Sequence, residues 1–436
     1  MSLKERIIRL FILTFKPMKK IYYKIVVYVF VGFISLTLVC SFVVSYKDII
    51  SSLYESKETI FSFEFSSSYF NKVIDIVDNI YSNNVFLHRR YVDLFGGMQR
   101  AIGKSIIWES DPNKTIMIGS DGKLYSSGNI TMNFADYTIN ENQLNSYAEK
   151  LSDLGAFANS NGAQLVFFQA PARYDSEYVQ LPIAVNDSSR ENVNYLYEQL
   201  INDNNLIVLN SQYLYKEQNI GFEDLFYKTD HHWTVKTAFW AYIEICKVFN
   251  EIGIGIDQYY YDISNYNYET EKNAFLGSLG ERVGELYVGR DDFDLIYPKF
   301  DTDYIKLASA VYNKSITQGG SNTLEGGFTD AILSYEAIKT KQIKVTLGSY
   351  VSGDISEVII KNKKPATDKK ILILKDSFAL PVSAFLSTCF EEEIILDPRY
   401  YNEKTIYEYI AEYQPDVVLV LYNPNAYNST FFNFCG

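Results

Sequence analysis

Apolar positions in this chain follow two regimes. Residues 25 to 46, IVVYVFVGFISLTLVCSFVVSY, carry no charge over 22 positions. At about 1.5 Å of rise per residue, a helix of that length crosses a hydrocarbon core of roughly 30 Å. After residue 140 the pattern changes. Leu144, Tyr147, Leu151, Leu154 and Phe157 recur every three or four positions and predict a helix over 142–162. AQLVFFQAP at 163–171, NLIVLN at 205–210, KKILILKDS at 369–377, EIILDPRYY at 393–401 and DVVLVLYN at 416–423 are short apolar runs rich in branched residues, and they predict five strands. Helical stretches at 190–203, 235–253, 378–390 and 403–414 alternate with them.

That alternation predicts βαβ units, hence an α/β fold with a parallel sheet covered by helices on both faces. Residues 255–368 break the rhythm. They are rich in Tyr, Asn, Gly and Asp, with alternating pieces such as QIKVTLGSY, and read as a mixed insertion with β-structure. The expected organisation is a segment at 1–24, a transmembrane anchor at 25–46, a partly helical connection at 47–95 and a domain at 96–436.

Charge assigns a side to each segment. Lys4, Arg6, Arg9, Lys16, Lys19, Lys20 and Lys24 precede the apolar run, with Glu5 the one acid among them. The positive-inside bias places the first residues in the cytoplasm and the rest outside. A cleaved signal peptide is the competing reading, but secretory cores run about 7 to 15 residues. The net charge of −13 argues against a nucleic-acid partner. With 37 tyrosines against 3 tryptophans, the composition leans towards polar, ring-shaped ligands such as sugars. Cys246, Cys389 and Cys435 lie beyond the apolar run and allow at most one internal disulfide, with Cys389–Cys435 as one candidate. His88, among Arg and Tyr, reads as a surface histidine.

The candidate chemistry sits in FYKTDHHWT, residues 226–234, and LKDSF, residues 374–378. Ser377 closes a predicted strand and opens a helix, where unpaired backbone N–H groups suit a nucleophile and a developing oxyanion. A helix N-cap is the plainer role for that serine. A serine nucleophile needs a base, and the base an orienting acid. On an extended backbone alternate side chains share a face, so Asp230 and His232 pair and His231 turns away. Thr234 is the expected N-cap of the helix that follows. Zinc is the rival reading of the two histidines. Adjacent histidines on an extended strand diverge, and no HExxH motif is present, so neither a metal nor a cofactor is expected.

TDHHW followed some 145 residues later by LKDSF resembles the DHHW family, itself similar to the SGNH-hydrolase-like domain of alginate O-acetylation enzymes. FLGSLGERVG at 275–284 and the LDPRY and PDVVLVLYN stretches extend the resemblance. It implies Ser377 as nucleophile, His232 as base and Asp230 as its orienter. It further implies an extracytoplasmic O-acyltransferase on a cell-surface polysaccharide, served by a multi-span membrane-bound O-acyltransferase that passes acyl groups outward. A carbohydrate esterase and a non-catalytic glycan-binding or assembly subunit are the alternatives. Lys375 stands where many SGNH proteins have Gly, and is expected to crowd or charge the edge of the site. Arg399, Asn423 and Trp233 are candidate substrate-binding residues, and Gly277 and Gly280 candidates for shaping a loop over the site.

Overall fold

The structure is a computed structural model that describes residues 3–62, 66–109, 114–126, 141–183, 189–308, 311–312, 315–316 and 322–435. The chain forms two compact units, Met1–Leu94 and Phe95–Gly436.

The first unit is helical. Helix α1 spans Leu3–Glu55 and bends at Ser45, whose backbone leaves helical geometry. Its portion Tyr22–Glu55 is long and apolar enough to cross a membrane. Val26, Phe30, Phe33 and Val43 stand exposed along it. The basic side chains from Lys4 to Lys20, on which the expected orientation rests, lie outside the described residues. Shorter helices at Lys57–Phe61 and Ser67–Asn83 follow.

The second unit is built on an eight-stranded sheet. Its strands are β1 (Gln164–Gln169), β2 (Leu206–Asn210), β5 (Tyr304–Ala308), β6 (Asn322–Gly326), β7 (Glu357–Asn362), β8 (Lys370–Lys375), β9 (Glu392–Leu396) and β10 (Val417–Tyr422), in the order β6-β5-β7-β9-β8-β10-β1-β2. The five predicted strands form its parallel half, β9-β8-β10-β1-β2. The insertion adds β7, β5 and β6 as an antiparallel edge. It also forms a separate hairpin of β3 (Tyr266–Phe275) and β4 (Asp291–Pro298). QIKVTLGSY forms no strand; Leu347–Ser349 is a single 3-10 turn.

Both faces of the parallel half are covered. Along β8, Ile371 and Ile373 enter one core, and Leu372 and Leu374 the other. Helices α4 (Val235–Glu251) and α5 (Ala379–Leu386) pack on the first face. Helices α2 (Glu141–Ser160), α3 (Ser189–Leu200) and α6 (Ile406–Tyr413) pack on the second. All six side chains of β10 are buried. Each large apolar one contributes on the order of 1.5–3 kcal/mol, which is why these strands read as unbroken apolar runs.

The four cysteines are free. Cys435 is exposed, while Cys389 is buried beside Cys246 and 3.1 Å from the Tyr242 hydroxyl, so the Cys389–Cys435 pairing is not formed. His88 is exposed, as expected.

Candidate active site

Strand β8 ends at Lys375, and the chain turns sharply into α5. Asp376 holds that turn. Its Oδ1 accepts the Phe378 N–H at 2.8 Å, and its Oδ2 accepts both the backbone N–H and the side-chain amide of Asn423, at 2.6 and 2.5 Å. Burial raises the Asp376 pKa, and these donors oppose the rise. Ser377 is thereby presented at the carboxyl end of the sheet, where open α/β sheets bind ligands.

The motif strand arrives from α4's side. Asp291 fixes it, accepting the Lys228 and Thr229 N–H groups at 2.8 Å each and the Thr229 hydroxyl at 2.5 Å. Thr229 Oγ1 in turn accepts the Gly277 N–H, and Thr229 O the Gly280 N–H, both at 2.8 Å. Thr234 caps α4 by accepting the Thr237 N–H, as its position predicts.

These two segments meet at His232. Its Nδ1 lies 2.5 Å from Asp230 Oδ1, and its Nε2 lies 2.7 Å from Ser377 Oγ. Asp230 also accepts the His232 N–H at 3.0 Å and the Ser278 N–H at 2.6 Å. Burial alone would raise the Asp230 pKa. The neighbouring His232 and His231 rings and the bonds from His232 and Ser278 outweigh it and hold the carboxyl well below its usual range. The structure therefore brings together Asp230, His232 and Ser377 in hydrogen-bonding order.

His231 does not turn away. The chain bends through Thr229–His232 rather than running extended. The His231 ring lies on that of His232 with centroids 3.8 Å apart, and its Nδ1 is 3.1 Å from Ser278 Oγ. A quarter of its side chain remains accessible. Burial, then the neighbouring His232, lowers its pKa to about 3, so the ring is neutral at physiological pH. Ligand atoms of Asp230, His231 and His232 converge within 4.8 Å of one another. Both nitrogens of His232 are already engaged, by Asp230 and Ser377, so a metal there would displace one of these bonds.

Four other expectations are corrected. Trp233 is fully buried; it donates its indole N–H to Phe378 O at 2.9 Å and presents nothing to a substrate. Asn423 faces Asp376 behind the Ser377 turn and does not line the cleft. Arg399 does not line the cleft over Ser377; it pairs with Asp397 at 2.6 and 2.9 Å and with Asp354 at 3.1 Å and borders a separate cavity. Lys375 does not crowd the site; it is buried, pairing with Asp397 at 2.7 Å and Asp354 at 2.8 Å. The first N–H groups of α5's entrance are also partly consumed, Phe378 and Ala379 both bonding to Asp376. The Ser377 N–H has no acceptor among the described residues.

The cleft over Ser377 measures about 260 Å³. Two insertion loops wall it, one carrying Gly277, Ser278 and Glu281, the other Lys344, Thr346 and Gly348 and ending at Asp354. Sequence reasoning read part of the second loop, QIKVTLGSY, as β-structure and did not connect it to the site. The loop bears no motif, and only its place beyond the ends of β8 and β9 identifies it.

No protein-family profile matches the chain, and no curated protein matches it. Solved structures do. Bacillus cereus PatB1 with a sulfonyl adduct is 23% identical at TM-score 0.59, covering 74% of this chain and 98% of that one. A second PatB1 structure is 22% identical at TM-score 0.57, covering 76% and 99%. A DHHW family protein from Eubacterium siraeum is 18% identical at TM-score 0.53, covering 76% and 98%. This chain has the fold of the DHHW family protein. It shares that fold with PatB1; the likeness spans nearly the whole of each solved chain and leaves about a quarter of this chain outside it.

Proposed function

We propose that this protein is a membrane-anchored O-acyltransferase whose Ser377, His232 and Asp230 transfer an acyl group, most simply acetyl, to hydroxyls of a cell-surface polysaccharide. The single observation that carries the reading is His232, bonded to Asp230 on one nitrogen and to Ser377 on the other.

In this reading the Ser377 oxygen attacks the acyl carbonyl while His232 Nε2 takes its proton. Asp230 fixes the imidazole's tautomer and stabilises the imidazolium. The Ser377 N–H faces the oxyanion. The intermediate collapses, the donor's leaving group departs with the proton from His232, and acyl-Ser377 remains. A sugar hydroxyl then attacks that ester. Its proton passes to His232 and on to Ser377 Oγ as the serine leaves. The sulfonyl adduct on PatB1 supports this chemistry, since sulfonyl groups attach covalently to activated nucleophiles.

The span Tyr22–Glu55 and the basic residues before it support an anchor with its N-terminus in the cytoplasm. A site on the far side of a membrane has no free activated acyl donor. The proposed source is a multi-span membrane-bound O-acyltransferase.

The test is acetate release from p-nitrophenyl acetate by the full chain in detergent, with Ser377→Ala and Asp230→Asn. The reading expects release that Ser377→Ala abolishes and Asp230→Asn reduces by orders of magnitude. Release unchanged in Ser377→Ala overturns it.

A further inference from the structure

We infer that Asp354 is the specificity-determining residue for the acceptor, holding a second hydroxyl next to the one that is acylated and so selecting neutral polyols. This rests on the acyl-transfer reading above.

Asp354 lies in the cleft with Ser377 and His232. Its two oxygens have different surroundings. Oδ1 is bound by Lys375 Nζ at 2.8 Å and Arg399 Nη2 at 3.1 Å. Oδ2 has no partner among the described residues and is not sealed from solvent. The side chain keeps 27% of its surface accessible. One oxygen is thus anchored while the other is offered to the cleft.

The anchoring comes from two cations. Lys375 ends β8, and Asp397 follows the last residue of β9. Together with Arg399 and Asp354 they form a quartet of two cations and two anions. Asp397 pairs with both cations, at 2.7 and 2.6 Å, and Asp354 with the same two, at 2.8 and 3.1 Å. Asp354 adds a second carboxylate at the cleft side. Burial alone would raise its pKa; Lys375 and Arg399, and more weakly His232, hold it below the usual range and keep it ionised.

Its approach is strained. Val351, Ser352 and Gly353 take positive φ of 56°, 74° and 83° in succession. A β-branched residue there is an outlier, and such strain gathers at functional sites. The loop is pinned by Lys306 Nζ to Ser352 Oγ at 2.7 Å and by Val351 N–H to Ile332 O at 2.9 Å.

A fixed, ionised carboxylate beside a nucleophile accepts hydrogen bonds and repels anions. Glu281 also lines the cleft, and Lys344 there is paired to it. A carboxylated sugar is therefore disfavoured. A neutral vicinal diol places one hydroxyl on acyl-Ser377 and donates the other to Asp354 Oδ2. No proton moves to Asp354. The attacking hydroxyl's proton goes to His232 and then to Ser377 Oγ, as in the parent step. Simple alcohols lack the second donor, and water has no second hydroxyl at a diol's spacing.

The experiment uses the full chain in detergent with p-nitrophenyl acetate as donor, and trans-1,2-cyclohexanediol or cyclohexanol as acceptor. The unaltered chain should acetylate the diol about tenfold or more faster than the mono-alcohol. Asp354→Asn should erase that preference. Equal rates for both acceptors in the unaltered chain overturn the inference without needing the variant to fold. So does a variant that keeps the preference, or loses both acceptors alike. Absence of an acetyl adduct on Ser377 in the unaltered chain overturns the acyl-transfer reading itself, and this inference with it.

Discussion

Gly277 lies so close to Asp230 that a Cβ added to the glycine would sit 2.2 Å from the Cβ of Asp230. No real side chain tolerates that. The closeness has a use, because it brings the next N–H, that of Ser278, to within 2.6 Å of Asp230 Oδ2. Gly277→Ala is expected to push the 275–281 loop outward and break that bond. A displacement of about 1 Å at a catalytic group costs on the order of a hundredfold in rate, and overpacking costs about 1–3 kcal/mol in stability. Ester hydrolysis and thermal unfolding, measured together, check both figures.

His231 gives a pH dependence with a definite sign. Its folded pKa is lowered, to about 3, whereas an unfolded histidine titrates near 6.5. Between those values the unfolded chain binds more protons than the folded one, so stability rises with pH and is lost on acidification from about 6.5 towards 3. His231→Phe keeps a ring against His232 and removes this titration. Its melting temperature should fall less than that of the unaltered chain between pH 7 and pH 4. Parallel curves contradict the assignment.

Lys375 is buried between Asp354 and Asp397. Lys375→Met leaves Asp397 at full burial with one cation instead of two, and Asp354 with Arg399 alone. Removing one partner of a buried pair costs about 3–5 kcal/mol. Denaturant unfolding should show a loss of that size. A surface role for Lys375, crowding the cleft, predicts little change in stability and a faster reaction.

What could be read from the residues divides along a physical line. KILILK and VVLVLY are apolar at every position because both faces of a central parallel strand are buried, and these runs mark the sheet's core without ambiguity. The insertion strands β5 and β7 alternate buried with accessible positions. That pattern announces a strand but not which sheet it joins. QIKVTLGSY shows the converse. Its alternation survives only as a loop, because Gly348 and Ser349 lie in a turn. At the site, the Asp230–His232–Ser377 grouping was legible from two motifs. The orientation of His231 was not. The two-residue period assumes an extended chain, whereas Asp230 Oδ1 accepts the His232 N–H and curls it, a local competition that Asp side chains are prone to. Trp233 was a candidate through its place in the motif and Asn423 through its place at the end of the last strand, yet each bonds to the 376–378 turn from behind.

The most direct test of the central claim is covalent labelling of the full chain in detergent with a sulfonyl fluoride, followed by peptide mass mapping. The account predicts one adduct, on Ser377, with labelling slowed about a hundredfold to ten-thousandfold in His232→Ala. No adduct on Ser377, or labelling at the same rate in His232→Ala, contradicts it.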